Sequence, residues 1–222
     1  MKGLAIHTEE IFEPISKLDS IKEYVLIGGT ALSLQLGHRF SEDLDFCKWK
    51  KANKDKEEVA WYSIEKELNN IGNVQSKDII DFNQANFILD GVKLSFYANN
   101  LSKQPSNSTI ISFKNNIRLM DIKTIGIMKI EVMLRRSTFR DYYDLYSILR
   151  ENINLSELVE GALKYSGHHL KTKDILAMLS NGERFTKDNE FENLDPKYKI
   201  TASQIQDYMI DEIKKYNNDL VK

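Results

Sequence analysis

Apolar positions in the first half of the chain switch between helical spacing and the short runs of buried strands. Ile11 and Ile15 repeat at helical spacing, whereas the run Val25-Leu26-Ile27 stops at a pair of glycines. Leu44 and Phe46 alternate with acidic residues, as in a strand with one buried face. These patterns predict helices over residues 5–20, 30–36 and 57–71 and strands over residues 24–27 and 44–49.

The middle of the chain has a residue pattern that is typical of β-strands. The stretch QANFILDGVKLSFYAN, residues 84–99, predicts a hairpin that turns at Asp90-Gly91, since Asp-Gly between alternating runs is a strong hairpin signal. STIISF, residues 108–113, is a further strand candidate. The lysine-rich residues 48–56 predict a solvated loop, which would grip RNA phosphates if it lay beside an active cleft.

The remainder of the chain has helical spacing throughout. Helices are predicted over residues 119–136, 139–152, 155–165, 171–181 and 201–218. We therefore expect an α/β lobe over residues 1–116 and a helical lobe over residues 117–222. The expected fold class is α/β (α+β), with a mixed sheet followed by a C-terminal helical bundle.

Composition narrows the class of protein but not its chemistry. The chain has 222 residues and a net charge of −2, so no global basic field indicates nucleic acid or membrane. The single cysteine, Cys47, excludes an internal disulfide and fits a reducing compartment. The first residues lack a signal-peptide core, and no apolar run approaches a membrane-spanning length. We expect a soluble cytoplasmic protein with no membrane partner.

The glycine pair is the first candidate binding element. A strand that ends at Gly28-Gly29 and passes into a helix lets the backbone approach a ligand, and the free N–H groups of a helix start attract phosphate. Thr30 adds a hydroxyl at the same helix end. By itself, a Gly-Gly after a strand is more often a plain tight turn.

The second candidate element is the pair Asp43 and Asp45, which a strand places on the same face. Two adjacent carboxylates repel unless a cation lies between them, and Mg²⁺ with substrate phosphates is the natural occupant. A lone Asp-x-Asp is more often a solvated strand edge. One helix and a turn separate the two elements, however, which brings phosphates and metal together as phosphoryl transfer from an NTP requires.

Two stretches resemble one family. GGTALSLQLGHRFSEDLDF, residues 28–46, resembles the signature of the AbiEii/AbiGii toxin family within the DNA polymerase β superfamily of nucleotidyltransferases. IGIMKIEVMLRRSTFRDYYDLYSIL, residues 125–149, resembles the family's later helical motifs, in which a Lys on one helix precedes Arg-Asp-x-x-Asp-Leu on the next. The resemblance implies a minimal nucleotidyltransferase core followed by helices.

It also implies a function. The expected reaction is Mg²⁺-dependent transfer of a nucleoside monophosphate from an NTP to an acceptor, either tRNA or a protein. The expected role is the toxin of a type IV toxin–antitoxin pair, linked to abortive infection and phage defence, with a cognate antitoxin that acts at the gene level. Two alternatives stay open: an aminoglycoside-modifying type of small-molecule nucleotidyltransferase, and a nucleotide-binding regulator with impaired catalysis.

The second stretch places cations and carboxylates on two predicted helices. Lys129 lies in a helix that is apolar nearly all round, and Arg136 follows on almost the same stripe. A line of cations that contacts the triphosphate explains both, while a lysine that reaches out to solvent is the alternative. The resemblance implies that Asp141 and Asp144 lie near the active cleft, where one of them orients a lysine or accepts a proton. Arg140 and Asp144 also have the spacing of an ion pair.

The sequence departs from the family pattern at Ser95. The family has an Asp at this point of a Lys-[Leu/Ile/Val]-Asp strand motif, as its third carboxylate, whereas this chain has VKLSF. Serine is a weak Mg²⁺ ligand and a poor base. Either Asp90 or another carboxylate substitutes, or Asp141 or Asp144 supplies the base, or catalysis is impaired.

Overall fold

The structure is a computed structural model that divides into two compact units, Met1–Asp121 and Ile122–Lys222. It describes residues 2–50, 57–99, 104–105, 108–167, 169–186 and 190–219. Among these residues, no helix is both long and apolar enough to cross a membrane. Most of the lysine-rich segment, residues 51–56, lies outside the described residues.

The first unit is built on a seven-stranded mixed sheet, as expected for the α/β lobe. Its helices are α1 (Ile6–Ser16), α2 (Gly28–Leu36) and α3 (Trp61–Leu68). Its strands are β1 (Val25–Ile27), β2 (Leu44–Trp49), β3 (Val74–Asp81), β4 (Gln84–Leu89), β5 (Val92–Asn99), β6 (Ile110–Lys114) and β7 (Ile117–Met120). The strand order is β3-β4-β5-β2-β1-β7-β6.

The centre of the sheet mixes both strand directions. β1 runs antiparallel to β2 and parallel to β7, while β2 runs parallel to β5. Leu26, Phe46 and Phe96 lie on one face and are fully buried, and the rings of the two phenylalanines stack at 5.1 Å. This dry face fixes the register, because a slip of one residue would exchange the faces of every side chain.

The predicted helix after the glycine pair is confirmed, and it begins earlier than expected. α2 starts at Gly28 itself and ends at Gly37, whose φ of 56° and ψ of 36° are those of a left-handed cap. The hairpin of β4 and β5 turns at Asp90-Gly91 as predicted, with a φ of 48° and 83° at the two residues.

The regular secondary structure among the described residues of the second unit is helical, apart from one isolated bridge between Thr138 and Thr186, which confirms the expected helical half. They are α4 (Ile122–Met133), α5 (Phe139–Leu149), α6 (Leu155–Tyr165), α7 (Thr172–Leu179) and α8 (Ala202–Asp219). α5 is the central element, because Tyr142 and Tyr143 are fully buried. The ring of Tyr142 stacks on Phe185 at 4.2 Å, and its hydroxyl donates to the carbonyl of Leu179.

The secondary structure differs from the sequence predictions at several elements. The helix predicted over residues 57–71 spans only Trp61–Leu68. Residues 119–120 lie in strand β7, so the helix predicted over residues 119–136 begins only at Ile122. Strand β3 was not predicted, because its sequence VQSKDIID lacks a clean alternation and all but its first residue are exposed. The first helix ends at Ser16 instead of residue 20.

Candidate active site

The first turn of α2 lies against the carboxylate of Asp45. Gly28 has a φ of 70°, a conformation that residues with a Cβ rarely adopt. A Cβ built on Gly28 would lie 3.1 Å from Oδ2 of Asp45. Glycine is therefore needed at this position both for the backbone conformation and for the close approach of the carboxylate.

The side chain of Thr30 joins α2 to the segment that leads into β2. Its hydroxyl is hydrogen-bonded to Oγ of Ser41 at 2.8 Å and donates to the carbonyl of Asp43. Thr30 is buried, so these two partners surround its hydroxyl within the protein. The residue holds Asp43 next to the start of the helix, and its contact with phosphate stays a prediction.

Arg39 is a site residue that sequence reasoning passed over. Its side chain is 5% exposed, and a Cβ on Gly29 would lie 2.5 Å from its Nη2. Nη1 donates to the carbonyl of Phe40 at 2.8 Å, which fixes the guanidinium beside the first turn of α2. A cation next to the N-terminus of a helix adds to the attraction that the helix end has for anions. The available signal was its place inside the stretch that resembles the family signature.

Asp43 and Asp45 flank the first residue of β2. Leu44 and Phe46 are buried on the opposite side, so the two carboxylates lie on the other face, as the alternation predicted. Asp43 is exposed and Asp45 is half-buried. Within the described ranges, no group of three or more His, Cys, Asp or Glu could hold a metal ion. Two hard carboxylate oxygens are nevertheless the protein contribution that Mg²⁺ accepts when substrate phosphates supply the rest.

A row of polar residues extends from Asp45 across neighbouring strands. Asp45 pairs with Ser95 on β5, and Ser95 pairs with Asn86 on β4. Paired residues of adjacent strands point to the same face. Ser95 is 1% exposed, and neither its Oγ nor the buried Oδ1 of Asn86 has a hydrogen-bond partner among the described residues. Sequence reasoning identified Ser95 as the residue beside Asp45 but missed Asn86.

Lys129 occupies a buried ionic cluster in the second unit. The side chain projects from α4 and the residue is 6% exposed. Its ammonium donates to Oδ1 of Asp141 at 2.7 Å and to Oδ2 of Asp144 at 2.5 Å. The alternative of a lysine that reaches solvent is thus excluded, and both aspartates of the second motif are its partners.

Asp141 is the most heavily bonded carboxylate of this cluster. Arg136 donates to it through Nε at 2.7 Å and through Nη2 at 3.0 Å, and the hydroxyl of Thr138 donates at 2.6 Å. Burial alone would raise the pKa of Asp141, but Lys129 and Arg136 outweigh this effect and hold the pKa well below its ordinary range. A carboxylate with so low a pKa is a weak general base.

The predicted site residues thus form one group in each unit. Gly28, Gly29, Thr30, Asp43 and Asp45 surround the start of α2, and Lys129, Arg136, Asp141 and Asp144 form the ionic cluster. Ser41 joins the first group through Thr30; like Arg39, it lies inside the stretch that resembles the family signature but was not singled out.

Comparison with known proteins adds an independent finding. The model of the family described as "Nucleotidyl transferase AbiEii toxin, Type IV TA system" matches residues 11–215. The chain is also 27% identical over 223 residues to "Uncharacterized protein aq_aa25" of Aquifex aeolicus (strain VF5), covering 97% of this chain and 98% of the other.

Two solved structures share the fold. MenT4, a nucleotidyltransferase toxin from Mycobacterium tuberculosis H37Rv, is 14% identical with a TM-score of 0.58, covering 90% of this chain and 81% of that one. JHP933 from Helicobacter pylori is 20% identical with a TM-score of 0.53, covering 98% and 97% of the two chains. At these identities the similarity extends to the fold alone.

Proposed function

Since the chain belongs to the AbiEii nucleotidyl transferase toxin family of type IV toxin–antitoxin systems, we propose that it transfers a nucleoside monophosphate from an NTP to an acceptor, with release of pyrophosphate. The observation that carries the proposal is the contact between Gly28 and Asp45. It puts a carboxylate metal ligand directly beside the glycine turn that is suited to phosphate.

Phosphate binding is assigned to the first turn of α2. The backbone N–H groups of Gly28 and Gly29 and the positive end of the helix attract the triphosphate. Arg39 adds a positive charge that is already fixed by its bond to the carbonyl of Phe40. Preorganised groups of this kind stabilise developing charge without the cost of reorganisation.

The metal ligands in this proposal are Asp43 and Asp45. A bound Mg²⁺ would neutralise charge on the triphosphate and on the leaving pyrophosphate. Thr30 keeps Asp43 in position through the hydrogen bond to its carbonyl. Ser95 and Asn86 offer neutral oxygens on the same face as Asp45, where they hold water or an acceptor hydroxyl in place.

We assign the two aspartates of the ionic cluster in the second unit the role of positioning the side chain of Lys129. Asp141 and Asp144 both hold the ammonium of Lys129, and the low pKa of Asp141 argues against proton abstraction by that residue. Contact of Lys129 and Arg136 with the triphosphate stays a prediction, which NTP titration of a Lys129→Met variant can test.

One observation favours a second candidate function. The position beside Asp45 on β5 carries Ser95 in place of a carboxylate, which fits a nucleotide-binding regulator with impaired catalysis. Such a protein would bind NTP in a Mg²⁺-dependent manner without transferring it.

Incubation with each α-labelled NTP, Mg²⁺, and either total tRNA or total protein tests both candidates. Label on tRNA or protein that depends on Mg²⁺ and is lost in Asp45→Asn is the expected result of the toxin reaction. Mg²⁺-dependent NTP binding without transfer would support the regulator. An NTP affinity that is the same with and without Mg²⁺, and the same in wild type and Asp45→Asn, would contradict the proposed site.

A further inference from the structure

The residues before α1 are bonded to the residues that lead into β2. Leu4 and Ser41 form a parallel bridge. The N–H of Ala5 donates to the carbonyl of Ser41, and the N–H of Ser41 donates to the carbonyl of Gly3, both at 3.0 Å. Gly3, Leu4 and Ser41 are all buried, so water has little access to these bonds. We call residues 3–8, which include this bridge and the start of α1, the N-terminal segment.

The N-terminal segment also packs closely on α2. A Cβ built on Gly3 would lie 2.3 Å from the carbonyl oxygen of Ser33, an atom of the α2 backbone. Gly3 has a φ of 93°, a backbone conformation that favours glycine. The segment therefore contacts both the helix whose first turn is assigned to phosphate and the residues that precede Asp43.

Thr8 provides a further bond between the N-terminal segment and these residues. It lies in the first turn of α1 and is 1% exposed. Its hydroxyl donates to the carbonyl of Glu42 at 2.7 Å, although the two residues are 34 positions apart. Glu42 directly precedes Asp43, the first proposed metal ligand. Because the hydroxyl of Thr8 is buried and already bonded, any effect that it has on the site is indirect.

Three successive carbonyls just before β2 are thus bonded to other parts of the first unit. Those of Ser41 and Glu42 accept from the N-terminal segment, and that of Asp43 accepts from the hydroxyl of Thr30 in α2. Because peptide groups are planar, three fixed carbonyls restrict the backbone dihedral angles of Glu42 and Asp43. The direction in which the carboxylate of Asp43 leaves the backbone is therefore set before any metal binds.

We propose that Thr8 positions the metal ligand Asp43 through the backbone of Glu42. This inference rests on the proposed function, in which Asp43 and Asp45 hold Mg²⁺ beside the triphosphate. Mg²⁺ requires nearly ideal ligand geometry, so a carboxylate that is oriented in advance binds it more tightly. Groups that orient metal ligands from behind contribute about tenfold or more to metal affinity.

Thr8→Val tests the role of the hydroxyl, because it keeps the shape of the side chain. The probes are the α,β-methylene analogues of ATP, GTP, CTP and UTP, which nucleotidyl transfer cannot cleave. With each analogue at saturation, calorimetry measures the Kd of Mg²⁺ at a temperature at which melting curves show every variant folded. We expect this Kd to rise about tenfold in Thr8→Val. Thr8→Ser retains the hydroxyl and should keep an affinity close to that of the wild type.

Two further variants test whether the effect is specific to the N-terminal segment. The φ of −66° at Ala5 suits proline, which has no N–H to donate to Ser41, so Ala5→Pro should also raise the Kd of Mg²⁺. Ser16→Ala, on the same helix as Thr8, is the matched control. The buried hydroxyl of Ser16 donates to the carbonyl of Glu13 and accepts from Nδ2 of Asn115, both at 2.7 Å. Its loss should lower the melting temperature but leave the Kd of Mg²⁺ unchanged.

The possible outcomes separate this inference from the proposed function. A Kd of Mg²⁺ that rises in Thr8→Val and Ala5→Pro, but not in Thr8→Ser or Ser16→Ala, supports the positioning role. An equal Kd in wild type and Thr8→Val, or an equal rise in Thr8→Val and Ser16→Ala, would overturn that role and leave the metal site itself in place. Absence of Mg²⁺ binding in the wild type with all four analogues would contradict the proposed function, and this inference with it.

Discussion

At the scale of single residues, two buried polar atoms beside Asp45 lack hydrogen bonds within the described part of the chain. Oγ of Ser95 and Oδ1 of Asn86 are buried beside Asp45 without hydrogen-bond partners among the described residues. Each such group costs about 1–3 kcal/mol, and most buried polar groups in folded proteins are bonded. They lie in one row with the half-buried carboxylate of Asp45, so this row is the place to test for a bound cation.

Replacing Ser95 by Asp tests whether this row faces a cation. Without metal, a buried carboxylate beside Asp45 is expected to lower the melting temperature, because both the charge and the repulsion are unfavourable. Mg²⁺ should recover much of this loss and should have little effect on Ser95→Asn, which has a similar shape and no charge. Thermal unfolding of both variants across a Mg²⁺ series measures the difference. If Ser95→Asp responds to Mg²⁺ no more than Ser95→Asn, then Ser95 does not face the metal.

Thr30 is expected to stabilise the site through its hydroxyl alone. Thr30→Val keeps the shape but removes the buried bond to Ser41 and the bond to the carbonyl of Asp43. We expect the free energy of unfolding to fall by about 1–3 kcal/mol, as for a lost buried hydrogen bond. Urea denaturation measures this value, and Thr30→Ser, which retains the hydroxyl, should lose less. Equal stability of Thr30→Val and wild type would contradict the assigned role.

At the scale of elements, the helices and strands that bury one apolar face could be predicted from the sequence. α2 and β2 were predicted because apolar residues at regular spacing and a glycine cap mark them in the sequence. β3 was missed since it pairs only with β4 and buries little, so its sequence is not constrained to alternate. β7 was missed because its four residues continue without a break into the apolar pattern of α4.

The ion-pair partners in the ionic cluster cannot be deduced from the spacing of charged residues in the sequence. Lys129 and Arg136 were predicted as a cationic line, yet Asp141 binds both of them. The arrangement depends on how α4 and α5 pack, which brings residues 12 and 15 positions apart into contact. Periodicity identified the charged residues, and the family resemblance left open whether one aspartate orients a lysine; the structure shows that both aspartates bind Lys129.

This cluster should make stability sensitive to acid. The pKa of Asp141 is lower in the folded protein than the unfolded value of about 3.9, so its contribution is present above that value and is lost as the pH falls below it. At neutral pH, Asp141→Asn should lower the free energy of unfolding by about 3–5 kcal/mol, because it removes one of the two carboxylates that pair with the buried ammonium of Lys129.

The difference in the free energy of unfolding between wild type and Asp141→Asn should therefore become smaller below about pH 4, the pKa of an unfolded aspartate. Urea unfolding, followed by the near-ultraviolet circular dichroism of the buried tyrosines of α5, measures the difference at each pH. Asp174→Asn, an exposed change on α7, serves as the control. A difference that stays constant down to pH 3 would mean that the ion pairs of Asp141 do not stabilise the second unit.

At the scale of the whole molecule, the sequence predicted the mixed sheet, the helical second half and the family. It did not predict the strand order, because the parallel pairing of β1 with β7 joins residues that are more than 90 positions apart. It placed Ser95 beside Asp45 only through the family motif, and the register of β2 and β5 provides the independent evidence for that pairing.

The coupling between metal and nucleotide is a property of the entire chain and gives the last prediction. If Asp43 and Asp45 hold Mg²⁺ that also contacts the triphosphate, NTP and Mg²⁺ together should raise the melting temperature by more than the sum of their separate effects. A ligand at one hundred times its Kd adds about 2.7 kcal/mol of stability, which corresponds to a shift of several degrees. Asp45→Asn should abolish the excess, whereas Asp174→Asn, an exposed change on α7, should retain it. Strictly additive shifts in the wild type would mean that metal and nucleotide bind independently, and the assignment of both aspartates to a shared site would then fail.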